Sequence, residues 1–228
     1  VQQFLLTPEF DLDLDAFPKT FDATTKLLFL CSPNNPTGNL LSREKIVEVL
    51  KRFYGLVVID EAYIDFADSK SFIKDLSKYP HLVVLQTFSK AWGLAGLRLG
   101  MCFASNEIIS VLNKIKYPYN VNIRTQDLAL DALENGYRKD ICVDEILTQR
   151  DKLAKSLRSL KLVEKVFPSD ANFLLVRVKD ATAIYHYLME QNIVVRDRSR
   201  VSLCYNCLRI TIGTPEENEK LIQALKQL

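Results

Sequence analysis

The chain has 228 residues, 48% of them apolar, which is enough for a real core and for one large domain or one and a half small ones. Thirty Lys and Arg against 28 Asp and Glu leave a net charge of +2, so no nucleic-acid or other polyanionic partner is implied. No apolar run reaches membrane-spanning length, no signal peptide is evident, and an odd count of five cysteines favours reduced thiols, so a cytoplasmic protein with no membrane partner is expected.

In chain order, Leu27-Leu28-Phe29-Leu30 is the first apolar run and reads as a buried strand. It leads into Cys31-Ser32-Pro33-Asn34-Asn35-Pro36-Thr37-Gly38, whose Pro, Asn and Gly make a turn. A helix follows from Ser42, as N-cap, to Phe53. Leu56-Val57-Val58-Ile59 is a second buried strand, Ser71 to Leu76 reads as a crossover helix ended by Pro80, and Leu82-Val83-Val84-Leu85 is a third strand. Beyond it come a strand over Leu99–Ala104, a helix over Glu107–Lys116, a break at Tyr117-Pro118, and a helix from Asn122 to Asn135 that stops at Gly136. A long amphipathic helix covers about Asp140 to Leu160. The remainder reads as α+β: strands over Val163–Phe167, Asn172–Val178, Ile193–Arg196 and Leu208–Ile212, a helix over Ala181–Gln191, and a closing helix from Pro215.

Three local groups carry chemistry. Lys90 sits in Thr87-Phe88-Ser89-Lys90-Ala91-Trp92-Gly93-Leu94-Ala95-Gly96-Leu97-Arg98, just past the third strand. An isolated lysine there is usually solvated. One that is desolvated favours its neutral amine and can form a Schiff base with an aldehyde cofactor. The hydroxyls of Thr87 and Ser89 before it and Arg98 after it suit a phosphate beside the amine. Asp60 ends the second strand, thirty positions earlier. It is either a helix N-cap or the partner of a pyridinium nitrogen, which is how proteins hold pyridoxal phosphate as an electron sink. Parallel strands put both residues on one edge of the sheet, where open α/β folds bind ligands. Asn35 and Tyr63 are two further donors, suited to a phenolate oxygen. A guanidinium, finally, binds phosphate or carboxylate in a fork. Arg209 interrupts a strand-like run, and Arg196, Arg198 and Arg200 cluster around Asp197. Taken alone, such arginines are more often solvent-facing. Cys204 and Cys207 have metal-ligand spacing, but with no second pair and with His81 and His186 distant, no metal site is expected.

The order SPNNPTG, VVIDEAY, TFSKAWGLAGLRLG and LRITIGT resembles the fold-type-I pyridoxal-phosphate aminotransferases, and within them the branch that acts on histidinol phosphate. The likeness runs from about Lys26 to the C-terminus. It implies Lys90 as the Schiff-base lysine and the acid–base of the proton shift, with Asp60 on the pyridine nitrogen. It puts Asn35 and Tyr63 on the 3′ oxygen, and Thr87, Ser89 and Arg98 at the phosphate. Arg209 then binds the substrate's acidic group and Arg196 a substrate phosphate. The implied fold is α/β: the C-terminal part of a cofactor domain with a mainly parallel sheet over residues 1–135, then a linking helix and a small α+β domain over residues 136–228. The implied partners are small molecules, an amino phosphate and a 2-oxo acid such as 2-oxoglutarate, and a second copy of the chain in a homodimer. The family also uses an N-terminal arm, a glycine-rich phosphate turn and a ring-stacking aromatic. All three are expected upstream of this sequence, whose first residue, Val1, is not expected to be a native start.

The same fold also serves aromatic aminotransferases, decarboxylases of amino-acid phosphates, and aminotransferase-like domains of transcription factors. A catalytically silent truncated domain is the remaining alternative.

Overall fold

The computed structural model describes residues 1–17, 21 and 24–228. They form two compact units, Val1–Pro33 with Leu41–Cys142, and Asn34–Leu40 with Val143–Leu228.

The first unit is built on a four-stranded sheet in the order β1-β2-β3-β4. Strands β1 (Leu27–Cys31), β2 (Leu56–Asp60) and β3 (Leu82–Thr87) run parallel, and β4 (Gly100–Ala104) runs antiparallel beside β3. The Val and Ile content of β2 and β3 suits strands buried on both faces. Helix α1 (Arg43–Arg52) buries Ile46, Val49 and Leu50 against Val57, Ile59, Leu82 and Val84. Ser42 is the N-cap of α1, yet its side chain accepts no capping bond; its Oγ donates to Glu44 instead, 3.0 Å away. The N-terminal segment completes this core. Leu12 and Phe17 join the cluster, and Asp11 accepts from the Ser42 amide while pairing with Lys45.

The connection from β2 to β3 differs from the crossover helix predicted over Ser71–Leu76. It contains two short 3-10 pieces, Ile64–Phe66 and Phe72–Asp75. Four residues ahead of the turn at Tyr79-Pro80 are too few to repay α-helix nucleation. Ser71 Oγ and Glu61 Oε1 instead accept the free amides of Ile73 and Phe72. Helices α2 (Asn106–Ile115) and α3 (Ile123–Glu134) follow β4, and α4 (Tyr137–Arg158) continues into the second unit.

The second unit holds an antiparallel sheet in the order β5-β6-β8-β7, from β5 (Val163–Val166), β6 (Phe173–Val178), β7 (Arg196–Asp197) and β8 (Cys207–Thr211). Strand β7 is shorter than the predicted Ile193–Arg196 and starts where that prediction ends. One sheet face, with Leu174, Val176, Val178, Leu208 and Ile210, packs on α4, α5 (Ala181–Glu190) and α6 (Pro215–Leu225) through Leu157, Ile184, Leu188 and Leu221. Alternation then puts Phe173, Leu175, Arg177, Cys207 and Arg209 on the opposite face. A reciprocal capping box between Thr214 and Glu217, with Pro215 at the first turn, starts α6.

Candidate active site

Parallel pairing brings the carboxyl ends of β1, β2 and β3 to one edge, and the residues of the first unit that carry chemistry lie there. Asp60 is the last residue of β2, in register with Cys31 on one side and Leu85 on the other. Its Oδ1 accepts the Ala62 amide at 2.9 Å, a tight local turn that fixes the carboxylate. Its other oxygen has no hydrogen-bond partner among the described residues. Tyr63 follows within the same turn and is buried. Lys90 Nζ lies 5.2 Å from the centre of the Tyr63 ring, which joins the loop after β2 to the loop after β3.

Lys90 is exposed, not buried against the strand end as its desolvation would require. It sits three residues past the last residue of β3, on a turn outside the sheet, where water reaches it. The loop from Phe88 to Leu99 is closed by the pairing of Thr87 with Gly100. Thr87 Oγ1 donates to Leu99 O at 3.2 Å and accepts the Ser89 amide at 3.0 Å. Thr87, Ser89, Lys90 and Arg98 are thus members of one closed loop. Arg98 is exposed, holds a left-handed φ of 53°, and donates Nη1 to Ala95 O.

Sequence reasoning passed over Glu61. Its side chain is almost fully buried, at 1% exposure. It accepts from Ser71 Oγ at 2.5 Å, the Phe72 amide at 2.8 Å and Gln86 Nε2 at 2.9 Å. A buried carboxylate needs such partners. It ties the residue after Asp60 to β3 and to the crossover. The signal was an acid beside Asp60 that continues a strand, with two hydroxyl or amide side chains able to reach it.

In the second unit, Arg196 and Arg209 are register partners across β7 and β8. Directly opposed residues on antiparallel strands share a face, and like charges so placed repel. Arg209 stacks over Phe173 at 5.0 Å and donates Nη1 to Asn35 Oδ1 at 2.7 Å. The loop carrying Asn35 is held by its own bonds: Asn34 Nδ2 to Thr37 Oγ1, Gly38 N to Asn34 O, and Leu40 N to Asp170 Oδ2. Gly38 has φ +88°, and a Cβ there would meet Ser169 Oγ at 2.5 Å, so glycine is required. Asp197 is held mainly by hydroxyl and amide donors, with the Arg200 charge nearby. Its carboxylate accepts from the Ser199 amide and hydroxyl and from Thr182. Partial burial opposes its charge, but those bonds prevail and hold its pKa below the ordinary aspartate value. The Cys204 and Cys207 thiols are buried. Burial above all, with the neighbouring Cys207, pushes Cys204 up to about 11, so it stays protonated at neutral pH. Among the described residues no group of three or more His, Cys, Asp or Glu is arranged to hold a metal ion.

The chain is 55% identical to a histidinol-phosphate aminotransferase of Cytophaga hutchinsonii, over 97% of its own length and 64% of the relative's. It is similar in fold to the crystal structure of histidinol-phosphate aminotransferase from Clostridium acetobutylicum, with a TM-score of 0.83 and 26% identity over 89% of this chain and 63% of that one. A third likeness is to histidinol-phosphate aminotransferase from Sinorhizobium meliloti in complex with pyridoxal-5′-phosphate, with a TM-score of 0.80 and 27% identity over 88% and 56% of the two chains. The chain therefore spans somewhat under two thirds of the length of these relatives. The family model for class I and II aminotransferases matches residues 1–225, and the chain belongs to that family.

Proposed function

We propose that this chain carries the lysine, the aspartate and the substrate arginines of a pyridoxal-phosphate-dependent aminotransferase. Its reaction converts histidinol phosphate and 2-oxoglutarate to imidazole acetol phosphate and glutamate in histidine biosynthesis. On this reading residues 1–135 are the C-terminal part of the cofactor domain, and residues 136–228 are the linking helix and small domain. The working protein is a cytoplasmic homodimer.

The residues present fit the cofactor. Lys90 offers an accessible amine beside a tyrosine ring, and Asp60 has one carboxylate oxygen fixed and the other available. Pyridoxal phosphate supplies an aldehyde for a lysine and a ring that accepts electrons from the substrate carbon. Lys90 Nζ is the amine that binds that aldehyde. The same Nζ, when not bound to the cofactor, would be the group placed to take and return the substrate's proton. Asp60 keeps a proton on the ring nitrogen. The Tyr63 hydroxyl and the Asn35 amide donate to the 3′ oxygen. The Arg209 bond takes Asn35 Oδ1 and leaves its Nδ2 as the donor. Thr87, Ser89 and Arg98 are the phosphate residues, with the Ser89 hydroxyl and the Arg98 guanidinium as donors, since the Thr87 hydroxyl hydrogen already goes to Leu99 O.

The observation that carries the substrate class is the direct opposition of Arg196 and Arg209. Two arginines opposed in register repel, and a phosphate dianion would answer both charges. A charge-assisted hydrogen bond contributes about 1.5–3 kcal/mol. Arg196→Ala should therefore lower kcat/KM for histidinol phosphate by roughly one to two powers of ten. Its effect on glutamate should be smaller, because Arg209 alone satisfies a carboxylate. Arg209→Ala should damage both substrates. Equal losses for both substrates in Arg196→Ala would make Arg196 a structural residue and favour an aromatic or broad-specificity aminotransferase.

A further inference from the structure

Lys139 stands in the first turn of α4, where the helix dipole disfavours a cation. Its side chain is only 19% exposed. Three contacts offset these costs. Nζ lies 3.0 Å from Asp65 Oδ1, 3.1 Å from Asp140 Oδ1, and 5.2 Å from the centre of the Trp92 ring. Asp140 is well exposed and local, so its pair contributes little. Asp65 and Trp92 are the informative partners, because of where they sit in the chain. Asp65 belongs to the 3-10 piece that begins directly after Tyr63. Trp92 is two residues past Lys90 and packs against the buried Phe88 at 5.3 Å. The turn between α3 and α4 also approaches the Trp92 ring at Gly136.

We propose that Lys139 is a positioning residue: its ammonium, held between the Asp65 carboxylate and the Trp92 ring, pins the loop that carries Lys90 to the loop that carries Asp60 and Tyr63. The role for catalysis rests on the reading of Lys90 and Tyr63 given above; the clasp itself is a statement about two loops of one unit. It accounts for an exposed lysine that is nevertheless held over the Tyr63 ring. A flexible Lys90 loop would spread the amine over many positions, whereas a clasped loop presents it at one. Partial burial works against the Lys139 charge, but the Asp65 and Asp140 bonds outweigh it and raise its pKa above the ordinary lysine value, so the clasp is charged throughout the physiological range.

Trp92 is the single tryptophan of the chain, so its fluorescence reports the clasp without any cofactor. The experiment compares wild type with Lys139→Met, Asp65→Asn and Lys139→Arg. The readouts are acrylamide quenching of Trp92, the yield of pyridoxal phosphate trapped on Lys90 by borohydride, and circular dichroism to verify folding. Lys139→Met and Asp65→Asn should raise the quenching constant severalfold and lower the trapped yield at subsaturating cofactor by roughly three- to tenfold. Lys139→Arg should restore most of both, since a guanidinium also pairs with a carboxylate and stacks on indole. Wild-type quenching in both Lys139→Met and Asp65→Asn overturns the clasp. If both variants lose their folded signal, Lys139 is a structural residue and the positioning role is overturned as well. If wild type traps no cofactor on Lys90, the functional reading fails, and quenching alone decides the clasp.

Discussion

The two units bury their apolar residues in different ways. In the second, the antiparallel sheet presents one apolar face to three helices, and Leu157, Leu188 and Leu208 are essentially inaccessible. In the first, α1 seals one face of the sheet, while Leu27 and Phe29 on β1 are 50% and 65% exposed and α2 buries no residue at all. Helix α3 likewise leaves Ile123 and Leu130 exposed. The chemistry divides along the same line. Lys90 and Tyr63 sit on loops of the open unit and Asp60 at a strand end beside them, and the paired arginines sit in regular strands of the closed one. Reactive groups on short loops or at strand ends can be arranged by local turns, as Asp60 is by Ala62. Two like charges in register need a rigid sheet to hold them together.

The largest expected effect is in the open unit. Asp60→Asn should retain cofactor but lose at least about two powers of ten in turnover, because a neutral amide does not keep the ring nitrogen protonated. Unchanged turnover would remove Asp60 from the chemistry and leave it as a turn residue. Stability should show the reverse pattern. Leu188→Ala, at a site with 0% exposure, should cost about 2–5 kcal/mol in urea unfolding. Phe29→Ser in the open unit should stay within about 0.5–1 kcal/mol of wild type. Comparable losses from both substitutions would show that β1 is covered in solution and would erase the contrast.

A smaller effect concerns the buried thiols. Cys204 has a folded-state pKa raised to about 11 from an ordinary value near 9.0, so its contribution is complete below about pH 9 and is lost as pH rises through about 11. Unfolding midpoints measured at pH 8 and pH 10.5 should fall more in wild type than in Cys204→Ala. Equal falls would mean that Cys204 ionises normally. At pH 8 an alkylating reagent should label the exposed Cys102 and Cys142 well before Cys204 and Cys207.

Much of this was legible in the residues. β2 and β3 show as unbroken apolar runs because strands buried on both faces leave no alternation to hide them, whereas β1, read as a buried strand from the same kind of run, leaves Leu27 and Phe29 exposed. The capping pattern Thr214-Pro215-Glu216-Glu217 announces α6. What was not legible depends on partners distant in sequence. Nothing in Gly100–Ala104 states that it runs antiparallel to β3, because hydropathy carries no direction. Ser71–Leu76 has a helix-like composition, but Glu61 and Ser71 take its first amides into a 3-10 turn. Lys90 looked like a candidate for desolvation because the strand before it is buried, yet the chain turns outward three residues later. The facing of Arg196 and Arg209 is a matter of register, which a single strand pattern leaves undetermined. Lys139 and Asp65 lie 74 positions apart, with no periodicity to link them.

The most direct test of the central claim is peptide mapping after borohydride reduction of the protein with saturating pyridoxal phosphate. A specific site should place the pyridoxyl label predominantly on the peptide containing Lys90, and Lys90→Ala should abolish that label while leaving the circular dichroism unchanged. Label spread across the surface lysines, with Lys90→Ala labelled as heavily as wild type, would contradict the assignment of Lys90 and with it the aminotransferase reading.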